Sequence, residues 1–207
     1  LPNSLLKLER ADDAYLDALI ERVPRVVAVA PADRYAAEVP AQFRVLYALL
    51  AAGDREAIWR YVRAEGMQSE MHPSGQEPAG LTSYLPGWQV DDLPPETYVL
   101  TAEQTALKVQ VRSAHVDGAD LVLDVAAWFP NVELVDPKLS IKTDGDHIEI
   151  THRGKPAVFG SRLGSRRPYP RSGWSVRWRG AARRRPRMIT VTLEDGALIG
   201  TVTAKIP

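Results

Sequence analysis

The Asp-Gly dipeptide recurs three times in the second half of the chain, each time between runs of alternating apolar residues. The three copies are Asp117-Gly118, Asp144-Gly145 and Asp195-Gly196. Asp-Gly between two alternating runs is a strong signal for a β-hairpin, because both central residues of a type I′ turn need positive φ. The repeated signal therefore predicts that this half of the chain is an antiparallel sheet protein.

The runs around these dipeptides have the period of two that is typical of strands. They cover residues 107–111 and 121–127, then 148–150, and finally 189–193 and 198–204, with a further alternating run at 174–178. We expect seven to nine strands from residue 98 to residue 207, and this number and spacing favour an immunoglobulin-like β-sandwich. The chain has no cysteine, which excludes an antibody-type domain with its disulfide.

The first part of the chain has helical spacing instead. Asp12 or Asp13 is placed to cap a first helix, which we expect Pro24 to interrupt. Further on, Gly53 stops an amphipathic helix and Asp54 caps the next one. This predicts a tight helix–turn–helix pair that acts as a packing unit, because acidic residues dilute the arginines that a DNA-reading helix would need.

The predicted fold class is therefore α+β and multidomain, a helical bundle or linker followed by an antiparallel immunoglobulin-like β-sandwich. The expected domains are a helical domain at residues 1–66, a Pro- and Gly-rich connector at 67–97 and the sandwich at 98–207. The connector contains the large apolar residues Tyr84, Leu85 and Trp88. We expect these three residues to pin the connector onto one of the flanking domains.

Residues 153–187 contain twelve basic residues and no acidic residue. The whole chain has 26 of each, so the remainder carries 14 − 26 = −12 and the zero net charge hides a dipolar molecule. Guanidinium groups pair bidentately with phosphate or carboxylate and stack on aromatic rings. The segment therefore predicts an anionic partner. A solvated face, or neutralisation by acidic residues of this chain or a neighbouring subunit, is the alternative.

Within this segment, one group of residues is predicted to converge on an anion. The candidate anion- or polymer-binding residues are Arg162, Arg166, Arg167, Tyr169, Arg171 and Trp174. Pro168 and Pro170 restrict the backbone around Tyr169, which reduces the entropy lost on binding. The second arginine cluster, at residues 183–187, is expected at a turn or a sheet edge, where positive charge discourages aggregation.

No catalytic or metal-binding constellation is recognisable. The chain has no P-loop and no Gly-x-Ser-x-Gly element, and its four histidines lack metal-ligand spacing. Asp144-Gly145-Asp146 has the form of a metal-binding Asp-x-Asp, but the hairpin accounts for it. We therefore expect no catalytic residue, no metal and no cofactor in this chain.

The absence of cysteine fits a reducing compartment. No run approaches the roughly 20 apolar residues of a membrane span, and no signal peptide is visible. These features favour a cytoplasmic location, with the inner face of the plasma membrane as an alternative.

Two parts of the sequence resemble a known family. Residues 19–24 (Leu-Ile-Glu-Arg-Val-Pro), 43–50 and Gly53-Asp54 are similar to the helical segment after the catalytic domain of bacterial family 2 glycosyltransferases. The resemblance is to actinobacterial relatives of wall teichoic acid and capsule glycosyltransferases, in which a Tyr-Leu-Pro-like element, here at residues 84–86, leads into a β-rich region. The family's nucleotide-sugar domain, Asp-x-Asp and catalytic acid have no match here. The resemblance implies a C-terminal accessory region used for oligomerisation and for engaging the polymer.

Three functions remain open at this point. The first is a non-catalytic region of a cell-envelope glycosyltransferase. Such a region would form a homo-oligomer or bind an anionic glycopolymer or a phosphate-bearing acceptor. It would reach the membrane surface through its parent protein. The second is a nucleic-acid-binding module using residues 153–187, although no groove-reading helix or RNA-binding aromatic motif is apparent. The third is a small enzyme acting on a phosphorylated carbohydrate.

Overall fold

The structure is a computed structural model that describes Leu8 and residues 12–142, 148–160, 166–184 and 186–207. It divides into two compact units, Leu1–Thr105 and Ala106–Pro207. Helices dominate the first unit and antiparallel strands dominate the second. The fold is therefore α+β, as the two periodicities in the sequence predict.

The first unit contains four described α-helices. They are α1 (Asp13–Val27), α2 (Ala32–Glu38), α3 (Ala41–Ala52) and α4 (Arg55–Arg63). The Asp12 side chain caps α1 by accepting a hydrogen bond from the backbone N–H of Tyr15 over 2.9 Å. Asp54 caps α4 in the same way, and Gly53 ends α3 with a φ of 68°. The caps and the glycine stop are confirmed.

The predicted interruption at Pro24 was wrong. Helix α1 continues through Pro24 to Val27, and the N–H of Ala28 donates to the Pro24 carbonyl over 2.9 Å. A proline inside a helix removes one N–H and crowds the preceding turn. Here only one further turn follows, and Val23 and Val27 pack against the helical core. Burial of this apolar face keeps the last turn helical.

Residues 67–97 belong to the first unit and have structure of their own. They contain a 3-10 helix (Ser69–Met71), strands β1 (Ser74–Glu77) and β2 (Gly80–Ser83), and the start of a second 3-10 helix (Pro95–Tyr98). The two strands pair antiparallel. Leu85 is only 1% exposed in the helical core, and Trp88 packs against the same core. These apolar residues thus hold the segment against the helices.

The second unit contains nine described strands. They are β3 (Lys108–Asp117), β4 (Asp120–Trp128), β5 (Lys138–Lys142), β6 (Ile148–His152), β7 (Ala157–Gly160), β8 (Arg166–Tyr169), β9 (Gly173–Trp178), β10 (Met188–Asp195) and β11 (Leu198–Lys205). Four strands form a sheet in the order β3-β4-β9-β6, three form a sheet in the order β11-β10-β5, and β7 pairs with β8. Every pairing is antiparallel.

The hairpins predicted at Asp117-Gly118 and Asp195-Gly196 are confirmed, but their turn type differs. Each aspartate is the last paired residue of its strand, so the glycine is the first of two central residues. Gly118 and Gly196 both have a φ of 60°, and the residues after them have no positive φ. Positive φ at the first central position alone is typical of a type II′ turn rather than type I′.

The hairpin predicted around Asp144-Gly145 was wrong, although the dipeptide itself lies outside the described residues. Strand β5 pairs with β10, and β6 pairs with β9 in the other sheet. The β5–β10 register sets Ile141 opposite Val191 and Leu139 opposite Leu193. These apolar cross-strand pairs stabilise β5 in the three-stranded sheet, so the chain crosses between sheets at this point.

Each large sheet of the second unit contains fully buried apolar residues. Leu123 and Val176 are fully buried in the four-stranded sheet, and Val191 and Leu193 are fully buried in the three-stranded sheet. A side chain at Gly200 on β11 would begin 2.6 Å from Leu107 and 2.9 Å from Phe129. The backbone of β11 therefore approaches residues just outside β3 and β4 too closely for any residue but glycine.

Candidate functional site

The β7–β8 hairpin carries the centre of the predicted anion site. It lies between β6 and β9 in the chain, and its register pairs Gly160 with Arg166 and residue 159 with Arg167. Exposure alternates along β8: Arg166 is exposed, Arg167 is half-buried and Tyr169 is buried. Because successive side chains of a strand point to opposite faces, Arg167 and Tyr169 share one face and Arg166 lies on the other.

Tyr169 anchors the hairpin to the four-stranded sheet. It is 1% exposed and packs with Ala126, Ala157 and Trp128, whose ring centroid lies 6.1 Å away. Its hydroxyl oxygen accepts a hydrogen bond from the backbone N–H of Asn131 over 3.4 Å. The buried Tyr169 thus attaches the hairpin, which carries the two arginines, to the four-stranded sheet.

Ser172 is a second anchor, and sequence reasoning missed it. It is fully buried, and its hydroxyl donates to the carbonyl oxygen of Tyr169 over 2.5 Å and accepts from the N–H of Ala157 over 2.6 Å. The signal for it is weak: serine three residues after Tyr169 has the spacing at which hydroxyls bond local backbone. Together, Ser172 and Tyr169 fix both strands at the base of the hairpin.

The two arginines of β8 differ in their surroundings. The guanidinium carbon of Arg167 lies 5.5 Å from the centroid of the Tyr169 ring, a cation–π distance. Arg166 is exposed and forms no ion pair with any residue that the structure describes. The ring contact limits the conformations of Arg167, so a positive charge is held at this surface.

Arg171 and Trp174 make their described contacts with other parts of the second unit. Arg171 has a φ of 64°, and its Nη1 donates to the carbonyl oxygen of Val135 and, over 3.4 Å, to that of Leu134. Trp174 is 2% exposed in β9, with its ring centroid 5.4 Å from that of His152. Both side chains therefore make contacts within the second unit.

Arg162, the remaining member of the predicted set, lies outside the described residues. Binding by any of the six stays a prediction. Of the five that are described, the structure brings together Arg167 and Tyr169, with Arg166 on the opposite face of the same strand.

Carboxylates of the second unit neutralise part of the basic segment. Arg177 pairs with Asp117 over 2.6 Å and Asp120 over 2.9 Å, and Arg179 pairs with Glu149 over 3.4 Å. The pKa of Asp120 is lowered, first by a hydrogen bond from the backbone N–H of Gly180 and then by the Arg177 guanidinium. Hydrogen bonds to the carboxylates of Asp117 and Asp120 raise the pKa of Arg177. These cations therefore have internal partners.

Residues 183–187 are expected at a turn or a sheet edge, and the described part of this cluster lies at a turn rather than at an edge. A 3-10 helix (Ala181–Arg183) occupies the start of this cluster, and β10 begins at Met188. Strand β10 is the central strand of its sheet, with β11 on one side and β5 on the other. Because both sides of β10 are paired, the arginines that precede it do not lie at an exposed sheet edge. Arg185 lies outside the described residues.

Two other features concern metals and membranes. In the part of the chain that the structure describes, no three His, Cys, Asp or Glu side chains come together in a way that could hold a metal ion. None of the described helices has the length and apolar character needed to cross a membrane.

Comparison with solved structures finds one likeness across most of the chain. The chain is similar to part of TarS from S. aureus. The crystal structure of S. aureus TarS 217–571 superposes with a TM-score of 0.46 and 10% sequence identity, covering 93% of this chain and 49% of the TarS chain. The chain therefore spans about half the length of that structure. No family model matches the chain, and no curated protein matches it.

Proposed function

We propose that this chain is a non-catalytic accessory region of an enzyme that makes an anionic glycopolymer, and that its β7–β8 hairpin holds the polymer. The observation that carries the proposal is the placement of Arg166 and Arg167 on a hairpin whose base is fixed by Tyr169 and Ser172. Arginine suits this role because its planar guanidinium pairs bidentately with phosphate.

The charge of the segment supports an external anion. Residues 153–187 include twelve cations and no acid. Among the described residues, carboxylates pair with Arg177 and Arg179, whereas Arg166 stays exposed without an ion pair. Like charges this dense repel one another unless a partner neutralises them. The anchored base means that the hairpin loses little further entropy when it binds.

We also propose that the second unit is an immunoglobulin-like sandwich that presents this hairpin. In chain order, leaving β7 and β8 aside, its strands correspond to A through G. The sheet order β3-β4-β9-β6 then reads A-B-E-D, and β11-β10-β5 reads G-F-C. This is the constant-type arrangement. The β7–β8 hairpin is an insertion between strands D and E.

Nucleic acid is the alternative anion, and the test includes it. Self-association, expected from the resemblance to family 2 glycosyltransferases, and a location at the inner face of the plasma membrane stay predictions. So does the absence of catalysis: purified chain should turn over no nucleotide sugar. Turnover that a point substitution within these residues abolishes would contradict the non-catalytic role.

The test compares two double variants of equal charge. Arg166→Ala with Arg167→Ala removes the hairpin cations, and Arg183→Ala with Arg187→Ala removes two exposed cations elsewhere in the segment. Binding to purified teichoic acid is measured by calorimetry at low and moderate salt, with neutral dextran and duplex DNA as comparison polymers. Exposed ion contacts contribute about 0.2–1 kcal/mol each, so the hairpin variant should bind teichoic acid roughly two- to thirtyfold more weakly.

The hairpin variant should also show a flatter salt dependence, because fewer ion contacts remain to be screened. The control variant should bind like the wild type. Equal binding by all three proteins, or binding that salt does not affect, would overturn the proposal. Tighter binding to DNA than to teichoic acid would favour the nucleic-acid-binding module instead.

A further inference from the structure

The first unit contains a cavity of about 480 Å³ that the proposed anion surface does not include. It is bounded by the turn between β1 and β2, by the chain around Trp88, and by the 3-10 helix Pro95–Tyr98. Residues on its wall include Glu77, Pro78, Trp88, Gln89, Asp91 and Glu96. The volume is within the range of small-molecule sites, roughly 300–1,000 Å³.

The aromatic part of the wall is rigid. The Trp88 ring is T-shaped against the Tyr98 ring, with centroids 5.0 Å apart, and it is tilted against the Tyr84 ring at 5.8 Å. Tyr98 is itself 1% exposed. Because two rings pack against Trp88, it lines the cavity without losing much conformational entropy on contact with a ligand.

Three carboxylates line the same cavity, and none of its lining residues is basic. Asp91 is paired with Arg60 from α4, and its side chain is only 10% exposed. Glu77 accepts a hydrogen bond from the Tyr84 hydroxyl over 2.9 Å. Even with Arg60 counted, the three carboxylates leave a surplus of two negative charges (3 − 1 = 2).

The backbone places Asp91 at the cavity through Gly87. Gly87 has a φ of 89°, and a side chain there would begin 1.8 Å from Asp91 Oδ2. The N–H of Asp91 donates to the Gly87 carbonyl over 2.9 Å. Any other residue at this position would displace the Asp91 carboxylate. The carboxylate of Asp91 is thereby held between the Gly87 turn and Arg60.

We propose that this cavity binds a small organic ammonium cation, seated against Trp88 and paired with Glu77 and Glu96. Tryptophan is the best aromatic partner for a cation. The negative surplus attracts a cation and repels phosphate groups. The cavity is also larger than an ammonium group alone requires, which leaves room for its organic substituents. This site goes beyond the proposed function and does not depend on it.

The test uses two pairs of probes that differ mainly in charge. Choline and 3,3-dimethylbutan-1-ol have the same shape, with a quaternary nitrogen in one and carbon in the other. Glucosamine and glucose give the corresponding comparison for a primary ammonium group. Binding is followed by NMR through the assigned indole N–H resonance of Trp88, with each probe added up to about 100 mM, the limit at which weak binding is still measurable.

We expect at least one cation to bind roughly tenfold more tightly than its neutral partner. Glu77→Gln and Glu96→Gln should each weaken that binding several-fold. Glu77→Gln keeps an oxygen that can accept from Tyr84. Glu103→Gln, at an exposed carboxylate that does not line the cavity, is the matched control and should change nothing.

The proposal is overturned if neither cation perturbs the Trp88 resonance. It is also overturned if each cation binds no more tightly than its neutral partner, which would indicate an uncharged ligand such as a sugar. Binding that is unaffected by both glutamate variants would overturn it as well. Far-UV circular dichroism of every variant verifies that the fold is retained.

Discussion

Arg177 Nη1 lies 2.9 Å from Asp120 Oδ2, so a cation of the basic segment is tied to the first residue of β4. The same guanidinium contacts Asp117 Oδ2 at 2.6 Å, at the other side of the β3–β4 turn. Asp120 Oδ1 also accepts from the N–H of Gly180 over 3.0 Å. Asp120 therefore joins the end of β9 to the β3–β4 hairpin.

This arrangement predicts that Asp120 matters more than Asp117 for the stability of the second unit. Asp120→Ala loses both the Arg177 pair and the acceptor for Gly180, whereas Asp117→Ala loses a single partner. Thermal unfolding followed by circular dichroism should show the lower midpoint for Asp120→Ala. A lower midpoint for Asp117→Ala would show that the Gly180 contact contributes nothing.

The same contact has a pH dependence with a defined sign. The folded-state pKa of Asp120 is lowered from 3.8, first by the Gly180 N–H and then by Arg177. A depressed folded-state pKa adds stability above the unfolded pKa and loses it as pH falls through the folded one. The difference between wild type and Asp120→Ala should therefore shrink below pH 3.8. A constant difference down to acid unfolding would contradict this account.

Gly87→Ala should destabilise the first unit more than Gly53→Ala does. Both positions have positive φ, which costs about 1–2 kcal/mol for alanine. At Gly53 the new methyl group would reach only ordinary contact, 4.0 Å from Ile20. At Gly87 it would displace Asp91, which adds an overpacking cost of about 1–3 kcal/mol. Urea unfolding of the two variants measures the difference, and equal midpoints would mean that Asp91 moves freely.

Alkaline pH should destabilise the first unit through the buried Tyr98 and the half-buried Tyr35. Burial, helped by the charge of Asp91, raises the pKa of Tyr98 to about 12, and burial raises that of Tyr35 to about 12. Because these folded-state values lie above the unfolded value of 10.0, their contribution is complete below pH 10. It is lost progressively as pH rises from 10 towards 12.

Tyr98→Phe isolates one of these groups. The Tyr98 hydroxyl has no hydrogen-bond partner within the described part of the chain. Its removal should leave the free energy of unfolding at pH 7 unchanged or raise it by about 1 kcal/mol. The loss of stability between pH 10 and pH 12 should become smaller. A large loss of stability at pH 7 would show that the hydroxyl is bonded.

The two compact units predict that the second one folds alone. A polypeptide of Ala106–Pro207 contains both large sheets and their buried residues. We expect a β-type circular dichroism spectrum and a cooperative unfolding transition. Matching the transition to that of the same unit in the full chain tests independence directly. An unfolded fragment would contradict the prediction that the second unit folds alone.

The sequence alone determined the features that depend on a few neighbouring residues. Asp12 and Asp54 cap their helices because a short acidic side chain reaches the N–H groups of the next turn. Gly53, Gly118 and Gly196 each have the positive φ that their sequence context predicts. Each of these features depends on residues within one turn of one another, so the local sequence pattern is sufficient to predict the feature.

Only the tertiary structure decided which distant residues meet. It sends β5 and β6 to different sheets, since Leu139 and Ile141 of β5 pair with apolar residues of β10. It buries Tyr169 against Ala126 and Ala157. It also forms the Trp88 cavity from residues of a segment that the sequence indicates only as a connector. The physical reason is that sheet partners and buried faces are selected by apolar contacts between residues far apart in the chain. Local periodicity shows that a residue has an apolar face, but it does not show what that face will pack against.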